Sequence, residues 1–308
     1  MKYTMEDLAF IKNGNAPQHK TNEPMTDKIC VIAGASSGVG LEAAKKLAAG
    51  GARLLLVCRN QGKAERVKAL LKNEYQNDAE IVIADFARLE NVRAAAEAIA
   101  KRLDHIDVLI NSAGLHSTKR RFTEDGNELV FQVNHLAPFL FTMLLMDLIR
   151  NSEQGRIIQV NSEGHRFGGL NLNDLDWRKR PYLGLRAYGA SKTAQLMTVM
   201  SLAEQLKHTN VTVNAMHPGG VRTNIGSNNG WLYRAWLHGV IWHFLKEPEI
   251  SGESLYYLAA APELKHTTGR YFNLTIDEKP MPHAMDEAVR AEIWEISHRL
   301  TRLPLSFS

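Results

Sequence analysis

Ile29-Cys30-Val31-Ile32-Ala33 runs straight into Gly34-Ala35-Ser36-Ser37-Gly38-Val39-Gly40, and helical spacing begins at Leu41. An uninterrupted apolar run of strand length reads as a strand buried on both faces. Glycines directly after it let the backbone turn tightly and approach a ligand closely. A helix starting there presents free N–H groups and the positive end of its dipole, which is what a pyrophosphate needs. The spacing is Gly-x-x-x-Gly-x-Gly rather than the more familiar Gly-x-Gly-x-x-Gly, and a glycine-rich turn without function could look the same. Its placement between the first strand and the first helix carries the reading. Gly34, Ser36, Ser37, Gly38, Val39 and Gly40 are therefore candidate phosphate contacts.

Outward from this stretch the same rhythm repeats. Further apolar runs of strand length occupy 54–58, 81–84, 108–110, 156–160 and 211–215, with a shorter one at 270–274. Segments of helical spacing lie between or after them, at 41–48, 63–71, 92–103, 127–149, 186–206 and 285–300. Alternating strands and helices, with strands apolar on both faces, predict an α/β fold. It is a doubly wound, Rossmann-like parallel sheet of about seven strands with helices on both faces. The alternation is unbroken, so a single domain over 27–308 is expected. Residues 1–26 are polar and interrupted by Asn13-Gly14, Pro17 and Pro24. They read as an extension outside the core with one short helix near 5–12.

Composition narrows the function classes. The 308 residues are 44% hydrophobic and 23% charged, ordinary values for a globular protein, and the formal net charge of +4 is too small to argue for nucleic acid. The two cysteines, Cys30 and Cys58, sit in strand-like runs outside any paired motif and read as buried free thiols. No signal peptide is recognisable at the N-terminus, and no apolar run reaches the ~20 residues of a membrane span. A soluble cytoplasmic protein is the expectation. Twelve histidines are scattered without a metal-ligand spacing, so no metal is expected.

The second strand ends at Cys58 and is followed by Arg59. An acidic residue at this place would take the adenosine ribose hydroxyls, whereas an arginine accommodates a 2′-phosphate. NADP(H) is favoured, with NAD(H) as the alternative; an arginine that merely solvates a loop is the plain reading. Asp85 and Phe86 follow the third strand, where the adenine would lie. Asn111-Ser112-Ala113-Gly114 follows the fourth, with small residues where a nicotinamide ribose must pass. Tyr188 and Lys192 stand four apart in a helical segment and share a face. A free tyrosine has a pKa of about 10, and a neighbouring ammonium and the oxidised nicotinamide would lower it toward useful proton exchange. Ser162, closing the fifth strand, could hydrogen-bond a substrate oxygen. Each of these residues alone is unremarkable.

Together they resemble the short-chain dehydrogenase/reductase family over roughly residues 28–275. Residues 33–40 match its cofactor motif, with alanine at 33 where the family usually has threonine. Asn111-Ser112-Ala113-Gly114 is similar to its Asn-Asn-Ala-Gly motif. Asn134, Ser162, Tyr188 and Lys192 fall in order at the positions of its catalytic tetrad. Pro218-Gly219-Gly220-Val221-Arg222-Thr223 resembles the segment that clasps the nicotinamide, which implies cofactor contacts at Pro218, Gly219, Val221 and Thr223. The 26-residue step from Ser162 to Tyr188, with Cys58-Arg59-Asn60 and Asn134-His135-Leu136, resembles the retinol dehydrogenase-like branch. The resemblance implies an NADP(H)-dependent oxidoreductase acting on an apolar alcohol, aldehyde or ketone. Tyr188 would be the proton donor, Ser162 the orienter of the carbonyl, Lys192 the holder of the ribose, and Asn134 the anchor of a water. An NAD(H)-linked hydroxysteroid-type or other alcohol dehydrogenase is the rival enzyme, and a non-catalytic NADP(H)-binding regulator the rival of another class.

Residues 224–250 are expected to form a lid over the substrate. Three of the five tryptophans lie within 231–245, which also admits a membrane-touching helix or a subunit contact. A homodimer through the helices at 127–149 and 186–206 is the other partner the resemblance allows. The basic run Lys119-Arg120-Arg121 reads as a solvated loop.

Overall fold

The computed structural model describes residues 9–220 and 247–304. Its sheet begins with β1 (Ile29–Ala33), β2 (Arg53–Cys58), β3 (Glu80–Ile83) and β4 (Val108–Asn111). It continues through β5 (Gly155–Val160), β6 (Val211–His217), β7 (Tyr271–Asn273) and β8 (Ile276–Asp277). The order is β3-β2-β1-β4-β5-β6-β7-β8, parallel throughout except for the antiparallel β7–β8 pair. The chain winds outward in opposite directions from β1 and β4, which are paired with Ala33 opposite Asn111. The crevice at their carboxyl ends is where such sheets bind ligands. An eighth strand joins the seven expected from the sequence. β8 has two residues, too few for any periodicity to announce.

Alternate strand residues face opposite sides. Val31, Ala33, Leu55, Val57, Leu109 and Val213 pack against α4 (Leu89–Ala100), α6 (Ala137–Leu144), α7 (Met146–Arg150) and α8 (Gly184–Leu206). Cys30, Ile32, Leu54, Leu56 and Ile110 pack against α2 (Gly38–Ala49), α3 (Gln61–Tyr75) and the helix Glu249–Ala260, here α9. Capping sets helix starts: Asn60 accepts from Lys63 N (2.9 Å) ahead of α3, and Asp286 from Val289 N (3.0 Å) ahead of α10 (Glu287–Thr301).

Three elements depart from the expectations. The helix expected over 127–149 is broken into the single turn α5 (Leu129–Phe131), a π-helical turn (Gln132–Leu136), α6 and α7. Pro138 is the physical reason for the break between the π-helical turn and α6. It has no N–H to give the carbonyl of Asn134 four residues back, and Gln195 Nε2 takes that carbonyl instead at 2.9 Å. The second departure is α9, which starts where the expected lid ends and packs on α2. Ser251, Gly252 and Ser254 made it a poor helix candidate. Its last carbonyls, Leu258 and Ala261, are held by the buried guanidinium of Arg156 at 3.1 and 2.8 Å.

The third concerns the N-terminal segment. Its helix, α1, spans Ala9–Asn15, and the segment lies against the body. Asn273 Nδ2 donates to Phe10 O (2.9 Å), Thr275 Oγ1 to Gln18 Oε1 (2.8 Å), and the rings of His19 and Tyr257 stack at 5.6 Å. On the opposite flank, Ile293 and Ile296 of α10 pack with Phe131, Leu136, Ala194 and Met197. The chain's own α10 thus packs on part of the helices at 127–149 and 186–206. No helix among the described residues is long and apolar enough to cross a membrane.

Candidate active site

The glycine loop closes on the loop after β4. Gly34 has φ +87°, and a Cβ there would stand 2.6 Å from Ala113 N. Only glycine allows both the left-handed turn and this approach. Ser112 N donates to Ala33 O at 2.9 Å, so a backbone bond braces the two loops. Ser37 occupies the N-cap of α2 in extended conformation, yet its hydroxyl makes no capping bond. The first-turn N–H groups are thus left to an anion. The Ser36 hydroxyl and Ala35 N–H both reach the Cys58 thiol, and burial pushes that thiol up to about 11. Val39 and Gly40 are buried behind the loop.

At the adenosine end, a hollow of about 290 Å³ is lined by Arg59, Ala87, Leu115, His116, Ser117 and Arg121, among others. Arg59 is exposed at its edge. Asp85 Oδ1 accepts from Ala87 N (3.0 Å), while Phe86 turns into the core against Phe141 at 5.7 Å. Ala87, not the Phe86 side chain, reaches the hollow. The Asn111 side chain is likewise buried and donates to Thr142 Oγ1 at 2.9 Å. Gly114 is the close point of the β4 loop, where an added Cβ would lie 3.4 Å from Asn134 Oδ1 and 4.0 Å from Lys192 Nζ.

The four expected catalytic residues converge from three elements. Asn134, in the π-helical turn, accepts from Leu115 N (2.8 Å) and donates to Leu115 O and Ser191 Oγ (both 3.0 Å). Both of its amide N–H groups are committed, to the β4 loop and α8, and its carbonyl accepts from Gln195. Lys192 Nζ donates to Val160 O (2.8 Å) and Gln195 Oε1 (3.4 Å) and sits 5.9 Å from the centre of the Tyr188 ring. The Tyr188 hydroxyl faces the Ser162 side chain, whose influence works to lower the tyrosine pKa. Gly164 makes this pairing geometrically feasible, since a Cβ there would stand 2.7 Å from the tyrosine ring.

Burial acts on both members of this pair. Burial raises Tyr188 above its ordinary pKa, against the opposing effect of the Ser162 side chain. Burial also draws Lys192 down to about 7. The neighbour invoked to lower the tyrosine is thus itself only partly charged near neutrality. Both groups are pushed toward their uncharged forms, so Tyr188 keeps its proton at neutral pH, as a general acid must.

Residues 28–230 match the family described as short chain dehydrogenase. The chain belongs to the short-chain dehydrogenase/reductase family. Human retinol dehydrogenase 14 is 36% identical over 91% of this chain and 88% of its own length. Human retinol dehydrogenase 13 is 34% identical over 96% and 89%, and these similarities place the enzyme in the retinol dehydrogenase-like branch. Among solved structures, an uncharacterised protein from Mycobacterium paratuberculosis superposes with TM-score 0.74 at 27% identity, covering 92% of this chain and 97% of that one. A short chain dehydrogenase from Shigella flexneri complexed with NADP has TM-score 0.67 at 26% identity, covering 82% and 99%.

Several residues that shape the site of this dehydrogenase escaped the sequence reading. Gln195 and Asn161 tie the tetrad together: Asn161 Nδ2 donates to Lys192 O and to Gln195 Oε1, both at 2.9 Å. Gln195 lies three residues after Lys192 in α8, so helical spacing was a usable signal. In the clasp, Ser251 Oγ of α9 holds Pro218 O at 2.8 Å, and Gly219 has φ +83°. Val221 and Thr223 lie outside the described residues, as do the tryptophan-rich stretch 231–245 and all of the expected lid before 247.

Two buried histidines beside the site make a pH prediction. Burial, with Lys192 adding to it, draws His135 down to about 3, and burial draws His165 down to about 4 despite its bond to Ser162 O. Unfolded, both titrate near 6.5. A base whose folded pKa lies below its unfolded one binds fewer protons when folded. Its stabilising contribution is whole above pH 6.5 and is lost as the pH falls through that window. By about pH 4 each ring costs on the order of 3 kcal/mol. Urea unfolding followed across this range is expected to show a steep fall in midpoint. An unchanged midpoint would contradict burial of the two neutral rings.

Proposed function

We propose that this dehydrogenase transfers hydride between NADP(H) and the carbonyl or alcohol group of a small apolar substrate, a retinal-like aldehyde or a ketone. The observation that carries the cofactor reading is Arg59, exposed at the end of β2 where an NAD-binding site needs a carboxylate. The Shigella protein complexed with NADP supports it by likeness. The glycine loop, the free first turn of α2 and the hollow beside Arg59 fit such a dinucleotide. The apolar substrate is supported by the retinol dehydrogenase relatives and by the exposed Phe167, Leu183 and Leu185 on the segments that carry Ser162 and Tyr188. Two buried free thiols accord with a reducing compartment, the cytoplasm.

When bound, NADPH supplies the hydride. Ser162 Oγ holds the substrate oxygen and polarises the carbonyl. Tyr188 gives its hydroxyl proton to that oxygen as negative charge develops there. Lys192 has two of its three donors engaged by Val160 and Gln195, which leaves one for a ribose hydroxyl. Asn134 contributes by fixing Leu115 and α8 to each other. Its Oδ1 accepts one bond, from Leu115 N, which leaves a second lone pair for the water that the family likeness implies.

The test is initial-rate oxidation of NADPH and NADH against a panel of apolar aldehydes and ketones. Preference for NADPH by more than about tenfold in kcat/KM is expected, reversed or abolished in Arg59→Asp. Equal use of the two cofactors by the unaltered enzyme would overturn the NADP(H) reading. Failure of every carbonyl, with the dinucleotide still bound, would favour the regulatory alternative.

A further inference from the structure

Lys119, Arg120 and Arg121 are all exposed, but they are held differently. Arg120 is tied to the carbonyl of Trp177 and lies over the Phe122 ring at 5.6 Å. Arg121 lines the same hollow as Arg59. Its backbone is fixed there: Leu129 N donates to Arg121 O at 2.9 Å, directly beside the Phe122–Glu128 bridge. The acids nearest to it in sequence are engaged elsewhere. Glu124 pairs with Arg88, Asp125 accepts from Leu89 N and Gln132 Nε2, and Glu128 caps α5. Among the described residues neither Arg59 nor Arg121 has an ion-pair partner, and no carboxylate lines the hollow. Two unpaired guanidiniums facing one hollow repel each other and are relieved by a dianion between them. Planar, multi-donor guanidinium groups match phosphate oxygens with two parallel bonds each.

We propose that Arg121 is a second specificity residue for the adenosine 2′-phosphate, closing on it from the β4 loop while Arg59 holds it from β2. This rests on the NADP(H) reading above and adds a residue to it.

The test is calorimetric titration of the full chain with adenosine 2′,5′-bisphosphate and, separately, with adenosine 5′-diphosphate, which lacks the 2′-phosphate. The unaltered protein is expected to prefer the bisphosphate. Arg121→Ala is expected to weaken that ligand about tenfold, the worth of one charge-assisted hydrogen bond. The same change should leave the 5′-diphosphate unaffected, and Arg121→Lys should recover part of the loss. Arg59→Ala serves as the independent control. If Arg59→Ala weakens the bisphosphate and Arg121→Ala does not, the NADP(H) reading stands and the role of Arg121 falls. Equal weakening of both ligands by Arg121→Ala would also overturn it, because the residue would then shape the hollow rather than read the phosphate. No preference in the unaltered protein would remove both.

Discussion

Tyr188→Phe is expected to lower turnover by roughly 10³-fold, the scale of a lost general acid, while the dinucleotide still binds. The change removes one oxygen and nothing else. The ring keeps its place above Gly164 and its edge contact with His116 at 5.8 Å, so the Ser162 hydroxyl loses a polar neighbour but the fold loses no packing. Hydride transfer to a carbonyl with no proton donor must leave an alkoxide in a site where burial disfavours charge. Single-turnover rates with NADPH and a reactive aldehyde measure the loss, and NADPH fluorescence checks binding. Turnover above about a tenth of the unaltered rate would remove Tyr188 from the role, since a general acid supplies at least ~10². Lys192→Met, which keeps the length and removes the donor left for the ribose hydroxyl, should in addition weaken dinucleotide binding.

Arg166→Met is expected to cost about 3–5 kcal/mol of stability, as breaking a buried ion pair does. Arg166 lies between Glu163 and Glu278, all three side chains largely buried, and it also donates to Met281 Sδ at 3.1 Å. The other carboxylate oxygens are satisfied by Tyr271 on Glu163 (2.7 Å) and by Asn13 and Asn273 on Glu278 (2.9 and 3.1 Å). Without the guanidinium, two carboxylates stay buried with no cation between them. Urea unfolding at neutral pH measures the loss. Adding Glu163→Gln and Glu278→Gln to Arg166→Met should restore most of the stability. Loss of less than ~1 kcal/mol in the single variant would mean that water already reaches the cluster. The effect should extend beyond stability. Phe10 of α1 stacks under Arg166 at 5.0 Å, and Glu163 directly follows Ser162. The same substitution is expected to loosen the N-terminal segment, read as faster proteolysis before Lys28, and to disturb the placement of the serine.

These two predictions have different origins in the chain. Tyr188, Lys192 and the glycine loop could be read in advance because their meaning depends on neighbours within a few residues. Four residues in a helix bring two side chains to one face, and a left-handed turn before a helix calls for glycine. The order of sheet and helices was legible for the same reason, since apolar periodicity is local. The break at Pro138 was legible in principle, but what it releases was not: the carbonyl of Asn134 finds Gln195 across 61 residues.

The sequence by itself determined that this chain folds as a β/α alternation around a dinucleotide crevice with a tyrosine–lysine pair at its mouth. The tertiary structure alone decided where that pair's protons lie. Burial of Lys192 to about 7, and of Tyr188 upward, depends on how much protein surrounds each group and not on which residues flank it. It alone joined Arg166 to Glu278 across 112 residues and folded α1 against the β7–β8 hairpin. It also sorted three consecutive basic residues into three different surroundings. Local periodicity fixes which face of an element is apolar. Desolvation and charge pairing are set by what the rest of the chain brings to that face, and no short window of sequence contains that.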